Sequence, residues 1–165
     1  MNRQLETLQF RRAGSPDAQA VSTLISLFCQ DFFTHADGAG AEVFLNSVSE
    51  QAERSYIEDA RYSYILACQD ERLAGFIALR DTSHIFHLFV DPDFQGKGLA
   101  KKLWHRAQEV SARQGYKGPF TVNSSVKAIP VYAHLGFIPS SDLIQNHGIS
   151  FLPMRLDLKP PSPST

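Results

Sequence analysis

The chain has 165 residues, a formal net charge of −1 at pH 7 and 43% hydrophobic residues, so it is long enough for one domain with a sizeable buried core. The near-neutral charge gives no general attraction to nucleic acid or to an anionic membrane, and no apolar run reaches the ~20 residues that span a bilayer. We therefore expect neither a nucleic-acid partner nor a membrane partner.

The first third of the chain predicts one strand and two helices. Residues 8–12 can form the strand, and residues 15–17, Ser-Pro-Asp, supply the N-cap, the proline and the acidic residue that begin a helix. Apolar residues recur at three- and four-residue intervals over residues 21–32, which predicts a helix with one apolar face. After a loop over residues 34–40, a second apolar stripe over residues 44–52 predicts another helix.

The middle of the chain predicts an antiparallel meander of three strands. Residues 62–68 and 73–80 are apolar runs of strand length, and the polar residues between them form a hairpin connection. His84–Val90 adds a third strand through a second short turn. This strand leads directly into a turn and a helix, and their junction carries the most informative residues of the sequence.

The junction after the third strand has the features of a phosphate-binding corner. Residues 91–93, Asp-Pro-Asp, stop the strand, and Gly96 and Gly98 precede a helix that ends at Gly115. A helix start leaves about four backbone N–H groups unpaired and carries roughly half a positive charge, so it favours an anion. Glycine has no Cβ and lets a phosphate approach closely, and Lys97 adds positive charge.

Two common phosphate motifs fit this corner poorly. A nucleotide-triphosphate loop needs four residues between its glycines, whereas Gly96 and Gly98 are separated by Lys97 alone. The dinucleotide fingerprint needs a third glycine where Lys101 stands. The corner therefore predicts neither a kinase-like nucleotide site nor a nicotinamide dinucleotide site.

Beyond the corner helix, the sequence predicts a strand, a short helix, a loop over residues 139–142 and a closing hairpin. The hairpin turns at residues 146–148, and its last strand is near residues 149–158. We predict one domain over residues 1–158 and a disordered tail over residues 159–165, whose composition offers nothing to bury. The two cysteines and six histidines show no disulfide-like or zinc-like spacing, and no signal sequence opens the chain. The predicted compartment is the cytoplasm, without a resident metal.

Two motifs give the sequence a resemblance to a known family. The first is Gln-Gly-Lys-Gly-Leu-Ala at residues 95–100, which follows a strand that ends in Val-Asp-Pro. The second comprises a strand end at residues 121–125 and then Ala128, Tyr132 and the Gly-Phe pair at residues 136–137, at four-residue intervals. In this combination the chain resembles the GNAT superfamily of N-acetyltransferases, and in particular a small single-domain member of bacterial type.

The resemblance implies a fold, a reaction and a cosubstrate. The fold would be α/β, of the α+β kind, with a mixed and mostly antiparallel central sheet of about seven strands flanked by about four helices. The reaction would move an acetyl group from acetyl-CoA directly to a primary amine of a small molecule or of an amino terminus. The residues assigned to acetyl-CoA by the resemblance are Leu88, Phe89, Val90, Gln95, Gly96, Lys97, Gly98, Leu99 and Ala100, together with Asn123 or Ser125.

Amine acetylation also needs a base for the ammonium group and an acid for the departing thiolate. The resemblance places Tyr132 beside the cofactor sulfur, which makes Tyr132 the predicted acid. His84 is the predicted base, because it falls where some family members carry a glutamate, and His87 is a second candidate. Positions three apart on a regular strand face opposite sides, so only one of these histidines reaches a cleft unless a bulge intervenes.

The acceptor and the biological role stay open at this stage. By resemblance, the first helices and the final hairpin shape the acceptor pocket. The candidate residues for this pocket are Phe32, Phe33, His35, Tyr56 and His147, with Asp31 and Asp37 as acids for a cationic amine. The alternatives to a small-amine acetyltransferase are a catalytically silent acyl-CoA sensor and an acetyltransferase that acts on a macromolecule. The oligomeric state is also open, and a homodimer is an alternative to a monomer.

Overall fold

The computed structural model describes residues 7–158, so the predicted tail at residues 159–165 lies outside the described residues. This part of the chain forms eight β-strands and five α-helices. The strands are β1 (Gln9–Arg12), β2 (Tyr62–Gln69), β3 (Arg72–Arg80), β4 (His84–Val90), β5 (Phe120–Ser124), β6 (Ile138–Pro139), β7 (Ile144–Asn146) and β8 (Ile149–Leu156). The helices are α1 (Ala18–Ser26), α2 (Glu42–Ser47), α3 (Glu50–Glu58), α4 (Leu99–Arg113) and α5 (Ile129–His134). None of these helices has the length and apolar character needed to cross a membrane.

The strands form a mixed sheet in the order β1-β2-β3-β4-β5-β8-β6, and β7 also pairs with β8. Each of these pairings is antiparallel except that of β4 with β5, which is parallel. The predicted α/β class and the mostly antiparallel sheet are therefore confirmed. The additional strand, compared with the expected seven, is β6, which pairs with β8 where the sequence predicted the start of a loop. Strand β6 has only two residues, one of them a proline, and so short a segment shows no alternating pattern that would predict a strand.

The second predicted helix is divided into α2 and α3 at Ser49. The Ser49 side chain accepts a hydrogen bond from the Ala52 amide at 3.2 Å, and it thereby caps the first turn of α3. The apolar stripe over residues 44–52 gave no sign of this break. In addition, α1 ends at Ser26, and its apolar face continues in a separate 3₁₀ turn, Cys29–Phe32.

The sheet carries a hydrophobic core on each face. On one face, α4 packs side chains such as Leu103 against Ile77 of β3. On the other face, α1 packs side chains such as Val21 against Phe76, the preceding residue of the same strand. This division follows from the alternation of side chains along a strand. Helices α4 and α5 cover the first face, and α1 and α3 cover the second.

Strand β4 departs from regular pairing on both of its sides. Ile85 and His87 face consecutive residues of β3, which leaves Phe86 as the extra residue of a β-bulge. On its other side, β4 pairs with β5 only through His84 and Ile85. Beyond Ile85 the two strands diverge, and a cleft opens between them.

The loop between α1 and α2 is held against the β7–β8 turn by close backbone contact. The Thr34 amide donates a hydrogen bond to the Gly148 carbonyl at 2.8 Å, and Phe33 forms an isolated bridge with Ile149. A Cβ built on Gly148 would lie 2.6 Å from the Ala41 nitrogen, which is closer than real Cβ atoms approach. Residue 148 therefore has to be glycine, because two backbone segments meet there.

Replacing Gly148 with alanine is expected to destabilise the fold by about 2 kcal/mol or more, because the neighbouring backbone would have to move. Gly96→Ala is the matched control, since Gly96 has the same φ of +76° but no atom within 4 Å of a built Cβ. Alanine at residue 96 should cost only the ~1 kcal/mol of a left-handed residue. Urea unfolding measures both free energies, and equal losses would contradict the proposed clash.

Candidate active site

A cleft of about 570 Å³ lies where β4 and β5 diverge. Its walls come from α1 and the segments that follow it, from β4 and β5, from the first turn of α4 and from the start of α5. The cleft therefore joins the glycine corner before α4 to the divergent edge of β4 and to the apolar side chains of the first helices. A ligand in this cleft would contact both an anion-binding helix end and an apolar pocket.

The glycine corner leaves open space in front of α4. Gly98 is the N-cap of this 15-residue helix and has a left-handed conformation, with φ of +81°. Gly96 is also left-handed, with φ of +76°, and a Cβ built on either glycine meets no atom within 4 Å. Because both glycines curl the backbone here, the first amides of α4 face unfilled space at the cleft.

Arg72 braces the turn that precedes the corner. Its guanidinium lies 2.6 Å from the Asp93 carboxylate and 3.2 Å from that of Asp91, and it stands 5.1 Å from the centre of the Phe94 ring. The Asp91 carboxylate also accepts a hydrogen bond from the Asp93 amide at 2.9 Å. These contacts tie β3 to the turn immediately before Gln95.

The cleft brings together most of the residues that the sequence assigned to acetyl-CoA. Those that line it are Leu88, Phe89, Val90, Gln95, Gly96, Gly98, Leu99, Ala100, Asn123 and Ser125. Lys97 is outside this lining, and its ammonium lies 3.5 Å from the Asp93 carbonyl oxygen. The Ser125 hydroxyl accepts a hydrogen bond from the Ala128 amide at 3.2 Å, whereas Asn123 is exposed. Asn123 is therefore the more accessible of the two polar side chains.

Tyr132 lies in α5 on the wall of the cleft and is 6% exposed. Its hydroxyl makes no hydrogen bond to the described residues. Every fully buried side-chain oxygen in residues 7–158 has a hydrogen-bond partner, so the Tyr132 hydroxyl is not fully buried. It therefore reaches the cleft that Tyr132 lines. Burial raises the pKa of Tyr132 above its usual range. The side chain is thus a protonated phenol at neutral pH, able to donate a hydrogen bond or a proton.

His84 lies at the parallel junction of β4 with β5. Its Nδ1 is 2.8 Å from the Thr121 hydroxyl oxygen. The pKa of His84 is lowered to about 4, mainly by burial and to a smaller extent by the charge of Arg80 and by His87. The ring is therefore neutral at physiological pH, and it is a weaker base than a solvated imidazole.

His87 belongs to a buried polar cluster that the sequence did not predict. The Glu53 carboxylate, which is fully buried, accepts a hydrogen bond from the Tyr64 hydroxyl at 2.7 Å and lies 3.0 Å from His87 Nε2. The pKa of Tyr64 is raised far above its usual range, mainly by burial and to a smaller extent by the charge of Glu53. The phenol therefore stays protonated. One signal was available, because Glu53 precedes Tyr56 and Ile57 by three and four residues and shares their helix face.

The bulge at Phe86 places both histidines on the face of the sheet that α1 and α3 cover. His84 pairs with Arg80, whose guanidinium lies over the Phe86 ring, and His87 contacts Phe76 on the same face. Both histidines line the cleft. The rule that positions three apart face opposite sides applies to a regular strand, and the bulge is the exception to it.

An aromatic wall forms the apolar part of the cleft, and it consists of Phe28, Phe32, Phe44, Phe86 and Phe89. Two ring pairs within this aromatic wall have their centroids 5.4 Å and 5.2 Å apart. Asp31 also lines the cleft, and Lys127 lies 4.0 Å from its carboxylate. Of the residues predicted for the acceptor pocket, Phe32 and Asp31 thus line the cleft. Those outside its lining are Phe33, His35, Asp37, Tyr56 and His147.

The mixed sheet, its diverging strand pair and the glycine corner together form the fold of an acetyltransferase domain. Residues 32–158 match the family described as the acetyltransferase (GNAT) domain, and the chain belongs to this family. A curated relative, a UPF0039 protein of Schizosaccharomyces pombe, is 34% identical over 80 residues, which are 48% of this chain and 53% of the relative. The match thus spans about half the length of that relative.

Solved structures share the fold at low sequence identity. PaiA N-acetyltransferase from Thermoplasma acidophilum, in complex with coenzyme A, is 14% identical, with a TM-score of 0.72 over 92% of this chain and 99% of that chain. YncA from Salmonella typhimurium, with its cofactor acetyl-CoA, is 18% identical, with a TM-score of 0.67 over 96% of this chain and 98% of that chain. The predicted GNAT fold is therefore confirmed.

Proposed function

We propose that this protein transfers an acetyl group from acetyl-CoA directly to a primary amine. The observation that carries the proposal is the open glycine corner at the start of α4, beside the divergent edge of β4. The orphan amides and the partial positive charge of a long helix suit a pyrophosphate at this place. The cofactors bound by PaiA and YncA support the same class of cosubstrate.

The corner and β4 would share the binding of acetyl-CoA. We assign the pyrophosphate to the backbone amides of residues 96 and 98–100, and the acetyl and pantetheine groups to the backbone of residues 88–90. Bound there, acetyl-CoA supplies an acetyl group activated as a thioester. Backbone donors on the divergent edge would stabilise the negative charge that develops on the acetyl oxygen. Tyr132 is the proposed proton donor for the departing sulfur, because its phenol is protonated and reaches the cleft.

The lining of the cleft favours an amine carried on an apolar or aromatic group. The aromatic wall would bury such a group, and burial of apolar surface contributes roughly 25 cal/mol per Å². Among the described lining residues, Asp31 is the only acid, and Lys127 partly offsets its charge. A linear polyamine would bring several ammonium groups into a pocket with too few acids to pair with them. An arylalkylamine and an aromatic amino-terminal residue both fit this lining.

A free-thiol assay with a panel of amines tests the function. With acetyl-CoA, 2-phenylethylamine is expected to show kcat/KM about 10- to 100-fold above that of propylamine, because burying a phenyl ring contributes roughly 1.5–3 kcal/mol. Spermidine is the control rich in charge and should be no better than propylamine. Mass spectrometry of the product checks for an N-acetyl group. A preference for spermidine would contradict the apolar acceptor, and binding of acetyl-CoA without turnover of any amine would favour the sensor.

A further inference from the structure

The buried cluster of Glu53, Tyr64 and His87 lies behind the wall of the cleft. Glu53 has no exposed surface, Tyr64 is 3% exposed and His87 is 7% exposed. A carboxylate taken out of water loses strong hydration, and well-packed apolar side chains often give equal or greater stability. The cluster is thus poorly explained by packing alone, and one of its members, His87, reaches the cleft.

His87 presents one ring nitrogen to Glu53 and the other to the cleft. Nε2 lies 3.0 Å from Glu53 Oε2. Nδ1 makes no hydrogen bond to the described residues. Every fully buried side-chain nitrogen in residues 7–158 has a hydrogen-bond partner, so Nδ1 is not fully buried. It is therefore open to the cleft that His87 lines. If Nε2 donates its hydrogen to the carboxylate, the lone pair of the neutral ring lies on Nδ1. The carboxylate thereby fixes the tautomer that can take a proton from the cleft.

Both partners are held in place by their surroundings. The Tyr64 hydroxyl donates to Glu53 Oε1 at 2.7 Å, so each carboxylate oxygen of Glu53 has its own partner. The Phe86 and Phe76 rings contact the imidazole of His87, with centroids 4.2 Å and 5.8 Å away. The imidazole is thus confined in the orientation that the bulge in β4 gives it.

We propose that His87 Nδ1 takes the proton of the acceptor ammonium and that Glu53 is the positioning residue for His87, an inference that rests on the proposed acetyl transfer. The nitrogen gives one proton to Nδ1, and its lone pair forms the bond to the acetyl carbon while the carbon–sulfur bond breaks. The sulfur takes the Tyr132 proton, and Tyr132 regains a proton from the nitrogen, so an amide and a thiol are formed. The imidazolium of His87 lies beside the Glu53 carboxylate until its proton passes to solvent.

The charged and titratable groups around the two histidines favour His87 over His84. His87 faces Glu53 from α3, Tyr64 from β2 and His84 from its own strand. Tyr64 keeps its proton and carries no charge, because burial, more than the charge of Glu53, raises its pKa. His84 instead stands beside Arg80, whose charge opposes protonation. A positive charge on the His87 ring would therefore lie beside the negative carboxylate of Glu53, whereas a positive charge on the His84 ring would lie beside the positive guanidinium of Arg80.

The pH dependence of kcat in His87→Gln and His84→Gln decides between the two histidines. Glutamine at residue 87 keeps an N–H donor for Glu53 but cannot take a proton. With acetyl-CoA and 2-phenylethylamine, His87→Gln is expected to lose about 100-fold in kcat and the acid limb of the profile, with KM for acetyl-CoA unchanged within about twofold. Loss of the acid limb in His84→Gln and its retention in His87→Gln would overturn the proposal.

The role of Glu53 is tested by Glu53→Gln and Glu53→Asp. Glutamine removes the charge, so the acid limb is expected to move to lower pH and kcat to fall by about tenfold. Aspartate restores the charge and should recover part of the activity and the position of the limb. Equal profiles in the wild type and Glu53→Gln would overturn the positioning role.

A measurement without turnover separates failure of this proposal from failure of the proposed function. ¹⁵N–¹H NMR spectra of the imidazole groups should show that the neutral form of His87 in the wild type carries its hydrogen on Nε2. The Nδ1–H tautomer would overturn the proposal even if the enzyme were active. A wild type that acetylates no amine in the panel would overturn the proposed function, and the role of His87 with it. An active wild type with an equally active His87→Gln variant would overturn the role of His87 alone.

Discussion

Replacing Gly98 with glutamate is expected to weaken acetyl-CoA binding by at least about 100-fold, or ~2.7 kcal/mol. The new carboxylate would stand at the N-terminus of α4, where it would repel the phosphates and compete for the same amides. A Cβ built on Gly98 meets no atom within 4 Å, so the side chain has room in the folded protein. Isothermal titration calorimetry with acetyl-CoA, CoA and a nicotinamide dinucleotide measures the loss.

Gly115→Glu is the matched control at the other end of α4. Gly115 has φ of +83°, close to the +81° of Gly98, and its built Cβ also meets no atom within 4 Å. The two variants therefore carry similar backbone strain, so strain alone does not distinguish their affinities for acetyl-CoA. Only Gly98→Glu should lose affinity. Equal affinities in the two variants would contradict the assignment of the corner, and tight binding of the dinucleotide by the wild type would contradict the choice of cosubstrate.

The corner could be predicted from the sequence because the residues that specify it are neighbours in the chain. The apolar strand β4, the Asp-Pro-Asp turn and the glycines before α4 follow one another directly, and each has its own local signal. The β2–β3 hairpin was predictable for the same reason, because two apolar runs flank a short polar connection. In these elements local propensity and the final fold agree.

The features that the sequence missed depend on contacts between distant residues. Strand β6 exists because it pairs with β8, and its own two residues specify little. Ser49 interrupts a stripe that is apolar on both sides, and its capping role depends on the backbone that it helps to bend. Glu53 is an ordinary polar residue of an amphipathic helix until Tyr64 and His87 meet it from two strands.

The position of His87 also required the three-dimensional structure. Period-two alternation predicts that His84 and His87 face opposite sides of β4, and one extra residue at Phe86 cancels that rule. A bulge leaves no reliable mark in a single sequence, because it is defined by the register of the partner strand. Two candidate bases therefore follow from the sequence, without the information needed to choose between them.

Replacing Tyr132 with phenylalanine is expected to lower kcat by about 1,000-fold while the affinity for acetyl-CoA stays within about twofold. Burial keeps the phenol protonated, and its removal leaves the departing sulfur without the proposed acid. The hydroxyl makes no hydrogen bond to the described residues, so the free energy of unfolding should change by less than ~0.5 kcal/mol. The free-thiol assay and calorimetry with acetyl-CoA measure the two effects separately.

Tyr116→Phe is the control for the loss of a phenol hydroxyl elsewhere. The Tyr116 hydroxyl donates a hydrogen bond to the Pro119 carbonyl, outside the lining of the cleft, so this variant should lose stability and keep its activity. The two tyrosine variants are thus expected to show opposite patterns. Unchanged kcat in Tyr132→Phe would remove Tyr132 from the reaction, and a parallel loss of acetyl-CoA affinity would indicate that the ring packs against the cosubstrate rather than supplying its proton.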